Sequence, residues 1–270
     1  MNLRDKGILI TGATGGIGEA ICNALDSRPE NERIKGLVLV GRNSSKLEEL
    51  AATLKSPCHL VVANMTSAEG QRAIADACQA QDVDIVINTA GTLDFNLFSH
   101  QDTALIESMV QLNLLAPMTL TSELLPHLKA KKESLILFVG STFGSIGHPG
   151  FTAYCASKFG LRGFVEALRR ELSDTGIVVH YLAPRATRTS LNSAAVNDLN
   201  QALGNSSDAP EVVAAAALKL LQTSKGTNRY LGWPEKLFVR LNSLFPGIVD
   251  SALGKKLGLV KSFTTTSTSR

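Results

Sequence analysis

Gly7-Ile8-Leu9-Ile10-Thr11-Gly12-Ala13-Thr14-Gly15-Gly16-Ile17-Gly18 is the stretch that decides how the chain folds. A short, almost wholly apolar run enters a glycine-rich turn. Beyond it Ile17, Ala20, Ile21, Ala24 and Leu25 recur at i, i+3, i+4, i+7 and i+8, the stripe of an amphipathic helix. A strand without polar alternation that feeds straight into a helix belongs to a parallel sheet covered on both faces. In the turn, glycine lets the chain bend tightly and lets backbone N–H groups approach a pyrophosphate seated on the helix N-terminus. The spacing is Gly-x-x-x-Gly-x-Gly rather than Gly-x-Gly-x-x-Gly, so its position in the first βα unit carries the nucleotide reading.

Outward from this stretch the same alternation continues. Leu37 to Val40, His59 to Val62, Val83 to Asn88, Leu135 to Gly140 and Val178 to Leu182 read as five further parallel strands, and Asn228 to Leu231 as a seventh. Leu161, Phe164, Val165, Leu168 and Leu172 mark another amphipathic helix, and Pro210 starts one that runs to about Thr223. The expected architecture is α/β: a doubly wound, Rossmann-like parallel sheet of six to seven strands with helices on both faces. With 270 residues and no internal repeat, it forms a single domain over residues 1–232. A net charge of +3 is too weak a field for nucleic acid, and no apolar run reaches the roughly 18 residues of a membrane span. Met1 to Lys6 meet a strand without a signal peptide's apolar stretch, so a cytoplasmic setting is expected. Cys22, Cys58, Cys78 and Cys155 form no Cys-x-x-Cys pair and read as reduced thiols. The five histidines show no metal-binding spacing, and no metal site is expected.

The end of the second strand reads Val40-Gly41-Arg42-Asn43, where an NAD-binding sheet would place a carboxylate for the ribose 2′-OH. Arg42 offers a guanidinium for a 2′-phosphate instead, which favours NADP(H). After the third strand, Asn64 suits the adenine edge or the cap of the next helix. Tyr154 and Lys158 are four apart on a predicted helix and share a face. A cation about 4 Å away is worth about 4 kcal/mol at an effective dielectric near 20, enough to bring a phenol toward neutral pH for proton exchange with an alcohol or ketone oxygen. Ser141, at the end of a buried strand, can polarise a carbonyl.

The glycine turn, Asn88-Thr89-Ala90-Gly91, Asn113, Ser141 thirteen residues before Tyr154, and Tyr154-x-x-x-Lys158 together resemble the short-chain dehydrogenase/reductase family in its compact form, over roughly Lys6 to Gly232. The resemblance implies that Tyr154 is the acid/base, that Lys158 lowers its pKa and bonds the nicotinamide ribose, that Ser141 orients the substrate oxygen, and that Asn113 holds a relay water. It places the cofactor along Gly12, Thr14, Gly15, Gly16, Ile17 and Gly18, then Arg42, Asn64, Asn88, Ala90 and Gly91. Tyr154, Lys158, Pro184, Thr187 and Thr189 complete the set. One departure is Ala183-Pro184-Arg185-Ala186 where the family usually has Pro-Gly, and Asn64 stands where Asp is frequent.

The expected activity is NADP(H)-dependent hydride transfer with a ketone, aldehyde or secondary alcohol, in a homodimer or homotetramer. The alternative is a non-catalytic NADP(H)-sensing protein of the same fold. A sugar-nucleotide epimerase would need a longer C-terminal region. Thr187 to Ala209 reads as a mobile segment at the strands' carboxyl edge; outside it, His148 suits substrate contact or a loop role equally, and Phe143 and Phe151 either line the pocket or only pack. Residues 233–262 form an amphipathic extension in which Leu237, Leu241, Leu244, Phe245 and Ile248 recur at helical spacing up to a stop at Pro246. That stripe is expected to pack on the sheet domain or a neighbouring subunit; with Trp233, Phe238, Lys255, Lys256 and Lys261 it also suits a peripheral membrane contact, and either reading favours a lipophilic substrate. Residues 263–270 read as a frayed tail.

Overall fold

Alternate residues of the central strands point to opposite faces of one sheet, and both faces are covered. The computed structural model describes residues 1–264. Its strands are β1 (Gly7–Thr11), β2 (Gly36–Gly41), β3 (Cys58–Val62), β4 (Val83–Asn88), β5 (Ser134–Val139), β6 (Ile177–Ala183) and β7 (Asn228–Tyr230). They pair in parallel in the order β3-β2-β1-β4-β5-β6-β7. The helices are α1 (Gly16–Asp26), α2 (Ser44–Thr53), α3 (Ala68–Ala80), α4 (Thr103–Val110), α5 (Ala116–Lys129), α6 (Thr152–Glu171), α7 (Ala194–Ala202), α8 (Pro210–Leu221), α9 (Glu235–Leu244) and α10 (Pro246–Thr264).

Ile8, Ile10, Leu37, Leu39, Ile85 and Ile87 pack with α1, α2 and α8 on one face. Leu9, Val38, Val86, Ile136 and Phe138 pack with α3, α5 and α6 on the other. This period of two is what near-continuous apolar runs become when both faces need filling. Strand order reverses at β1 and β4, so the crevice for a ligand opens at their carboxyl ends.

The structure differs from the sequence expectations in two segments. Within Thr187 to Ala209, expected to be mobile, Ser193 caps α7 by accepting from the Val196 N–H at 3.3 Å, and Val196 and Leu199 are buried. A bridge between Thr187 and Asp208 and an ion pair from Arg185 to Asp208 at 2.7 Å hold the segment down. The C-terminal extension is two helices, because Pro246 opens α10 rather than ending the fold's last helix; proline is tolerated in a first helical turn, where its missing N–H would have no partner. Leu237, Leu244, Phe245 and Ile248 are exposed, so these members of the stripe do not pack on the sheet domain; Val239, Val249 and Val260 are buried, Val260 with Phe151 and Tyr154. Phe263 and Thr264, expected in the tail, end α10, and the remainder of that tail lies outside the described residues.

Candidate active site

The turn after β1 is packed too closely for side chains. Gly12 has a φ of 66°, and a Cβ there would lie 2.8 Å from the Ala90 Cα; at Gly18 a Cβ would lie 2.3 Å from the Gly12 carbonyl oxygen. Gly15 precedes α1 and no side chain caps that helix, so its N-terminal donors are left for a ligand. In front of them opens a cleft of about 1190 Å³. Gly12, Thr14, Gly15, Gly16, Ile17 and Gly18 line it, as do Arg42, Asn64, Ala90, Gly91 and Thr189. Glu107 on α4 is the only carboxylate lining it among the described residues. Asn88, expected among the cofactor residues, does not line this cleft: it is buried, and its Oδ1 accepts from the Thr11 hydroxyl at 2.8 Å, bracing β4 to β1. Asn64 does not cap α3, since Ser67 does; its Oδ1 accepts from the Thr66 N–H and hydroxyl at 3.1 and 2.9 Å.

A second cavity of about 120 Å³ adjoins the first, with Ile17, Thr89, Gly91, Thr92, Thr189 and Leu191 lining both. Ser141, Tyr154, Lys158, Pro184 and Thr187 meet there. Ser141 follows β5, and its Oγ accepts from the Phe143 N–H at 3.1 Å, which leaves the hydroxyl hydrogen to donate elsewhere. Its backbone is clamped by Tyr181, whose hydroxyl donates to the Ser141 carbonyl at 3.2 Å and accepts from its N–H at 3.3 Å. Glycines at 140 and 144 make room, because a Cβ at either would lie within 2.4 Å of that tyrosine. Sequence reading missed Tyr181: it sits opposite Phe138 in the β5–β6 register, and nothing local marks the pairing.

Tyr154 and Lys158 lie on the inner face of α6, with Nζ 5.7 Å from the phenol ring centre. Burial pushes Tyr154 up to about 12, opposed by the Ser141 hydroxyl, and pushes Lys158 down to about 8. The expected lowering of the Tyr154 pKa by Lys158 is therefore not what the protein alone sets up. Both groups are withdrawn from water, which disfavours whichever form is charged. Asn113 is buried in a π-turn (Gln111–Leu115) between α4 and α5. Its amide exchanges two bonds with the Thr92 backbone, at 2.8 and 2.9 Å, and donates to Ser157 at 3.1 Å. These leave one Oδ1 lone pair, so the side chain is a brace under Gly91 before it is a water ligand.

Phe143, His148 and Phe151 line the smaller cavity and pack together, with ring centres 5.1 Å apart for Phe143 with either neighbour. The His148 Nδ1 faces the Pro149 carbonyl at 2.8 Å and therefore carries the hydrogen, which leaves Nε2 as an acceptor. Arg185 turns its guanidinium to Asp208 and Glu235. Leu199 and Leu203, not singled out in the sequence, add apolar wall. Cys155 accepts from the His148 N–H at 3.4 Å, and burial pushes its thiol up to about 11, so it is a packed thiol rather than a nucleophile.

The family model for short chain dehydrogenase matches residues 6–200. Nodulation protein G of Rhizobium sp. (strain N33) is 36% identical over 184 residues, covering 67% of this chain and 73% of that protein. A 3-oxoacyl-acyl-carrier-protein reductase, FabG, of Haemophilus influenzae is 30% identical over 200 residues, covering 73% and 80%. Among solved structures, a short chain dehydrogenase from Burkholderia cenocepacia J2315 in complex with NADP superposes with a TM-score of 0.77 at 21% identity, over 87% of this chain and all of that one. With the glycine turn, the serine, the tyrosine and the lysine gathered at the carboxyl edge of such a sheet, the chain belongs to the short-chain dehydrogenase/reductase family of oxidoreductases.

Proposed function

We propose that the protein is an NADP(H)-dependent reductase that transfers hydride to a small, lipophilic ketone or aldehyde, with Tyr154 as the proton donor. The observation that carries this reading is the convergence of Ser141, Tyr154 and Lys158 on one cavity that opens into a dinucleotide-sized cleft ending at Arg42. The cleft fits the cofactor: the uncapped α1 N-terminus suits a pyrophosphate, and Arg42 without a neighbouring carboxylate suits a 2′-phosphate. NADPH, when bound, supplies the hydride. Lys158, which would lie 3.5 Å from a Cβ at Gly91, would bond the nicotinamide ribose, and its nearness to that segment of the cleft supports the role. Ser141 donates to the substrate oxygen, and Tyr154, protonated at neutral pH because its pKa is near 12, gives that oxygen its proton. Reduction is the direction this protonation state serves. Phe143, Phe151, Leu199 and Leu203 favour an apolar substrate body. The four free thiols support a reducing, cytoplasmic setting, and no described helix is long and apolar enough to cross a membrane.

Titrating NADPH and NADH tests the cofactor half of the reading. NADPH should bind at least about tenfold more tightly, and Arg42→Asp should reverse the order. Equal affinities in the unaltered protein would end the assignment. Exposed Leu105, Val110 and Leu115 on α4 and the π-turn, and Phe159 on α6, support a homodimer or homotetramer. Light scattering should show more than one chain per particle at micromolar concentration, and a monomer there would contradict it.

A further inference from the structure

Helix α9 carries its apolar stripe on the side away from the protein. Val239 is buried, Glu235 meets Arg185 at 3.5 Å, and the Asn242 amide donates to the Ser145 carbonyl at 2.9 Å. Spaced three and four apart, these residues define the inner face. Leu237, Arg240 and Leu244 follow the same spacing on the opposite face, and Leu244 is 72% exposed. From Leu237 to Leu244 that line runs about 10 Å at 1.5 Å per residue, with Trp233, 70% exposed, just before the helix and exposed Phe245 and Ile248 at the corner into α10. A helix that only served the domain would bury this stripe. Exposed apolar surface of this kind marks an interaction site.

Charge selects the occupant. Around α9 and the corner, residues 233–249 carry Lys236 and Arg240 against Glu235. Glu235 is already engaged by Arg185. A second copy docked about a twofold axis would bring a second Lys236 and Arg240 to the same interface, with its Glu235 likewise engaged. An anionic lipid surface does the opposite, since headgroup phosphates compensate the cations while the acyl boundary takes up tryptophan, leucine and phenylalanine. We propose that the outer face of α9 and the α9–α10 corner form a peripheral docking surface for an anionic lipid bilayer. The element is coupled to the smaller cavity, because Val260 of α10 shares a buried cluster with Phe151 and Tyr154. Docking would thus hold the wall of the substrate pocket at the membrane, where a lipophilic carbonyl is concentrated.

Trp233 is the only tryptophan in the chain, so its emission reports on this surface alone. Adding vesicles of equal parts phosphatidylcholine and phosphatidylglycerol to the full chain should shift the emission to the blue and carry the protein upward in flotation. Vesicles of phosphatidylcholine alone should do so much more weakly. Leu237→Asp with Leu244→Asp, both facing solvent, should cut binding at least about tenfold with an unchanged circular dichroism spectrum. Lys236→Gln with Arg240→Gln should weaken it roughly 25-fold, at about fivefold per basic residue. Absence of a shift and of flotation with the mixed vesicles at low salt overturns the proposal. Undiminished binding by the aspartate variant overturns it as well, and a dimer that the aspartates dissociate, without vesicle binding, would assign the face to a second copy.

Discussion

Lys158 is a cation that the fold makes expensive to keep. Buried on α6 and pushed down to about 8, it loses its proton well before Tyr154, pushed up to about 12, loses its own. The kcat/KM for carbonyl reduction should therefore fall as pH rises through about 8, and the fall should report Lys158 rather than the phenol. The same shift fixes the sign for stability. Between about 8 and the ordinary lysine value of 10.5 the unfolded chain binds more protons than the folded one, so stability from this group rises with pH across that window. Lys158→Met should accordingly raise the melting temperature most below pH 8 and progressively less toward pH 10, while turnover drops. A larger gain at pH 10 than at pH 7 would contradict the assignment. Ser141, Tyr154 and Lys158 were legible in the sequence because their order and spacing survive as local geometry. The direction of the Tyr154 shift was not legible, since it depends on how deeply both partners are buried. Tyr181 was invisible for a related reason, as its partner is set by register between strands far apart in sequence.

At the scale of elements, the turn between β1 and α1 is both a binding surface and a packing joint. Gly18→Ala would force a Cβ to within 2.3 Å of the Gly12 carbonyl, so the turn must move. NADPH affinity should fall at least about tenfold, and stability by roughly 1–3 kcal/mol, the range for overpacking a close contact. Gly163→Ala is the control. That residue is exposed in α6 with nothing within 4 Å of a Cβ, and the change should stabilise the helix by about 0.5–1 kcal/mol without affecting NADPH binding. Thermal melts and cofactor titrations of both variants check this, and equal behaviour would show that the turn is not tightly built. The seven strands and helices α1 and α6 were readable because their hydrophobic periods match the faces they bury, and α8 because Pro210 marks its start. α7 was hidden by its Asn, Ser and Asp content, although Ser193 is a cap and Val196 and Leu199 are three apart. Of the packings expected for the extension, the one on the sheet domain is not made by the α9 stripe, which points out.

Across the whole molecule, the reversal of strand order at β1 and β4 puts the glycine turn, the Ala90–Gly91 segment and the Tyr154–Lys158 end of α6 around one crevice. Residues 6–200 carry the family's match, and α8, β7, α9 and α10 lie beyond it. The most direct test of the account is isotope transfer from NADPH deuterated at the nicotinamide C4 position, read by mass spectrometry of the alcohol formed from a panel of apolar ketones. The unaltered protein should deliver one deuterium to the carbinol carbon, and Tyr154→Phe should bind NADPH as before while losing at least about a hundredfold in rate. Product without deuterium, or a Tyr154→Phe protein that turns over undiminished, would contradict hydride transfer with Tyr154 as its acid.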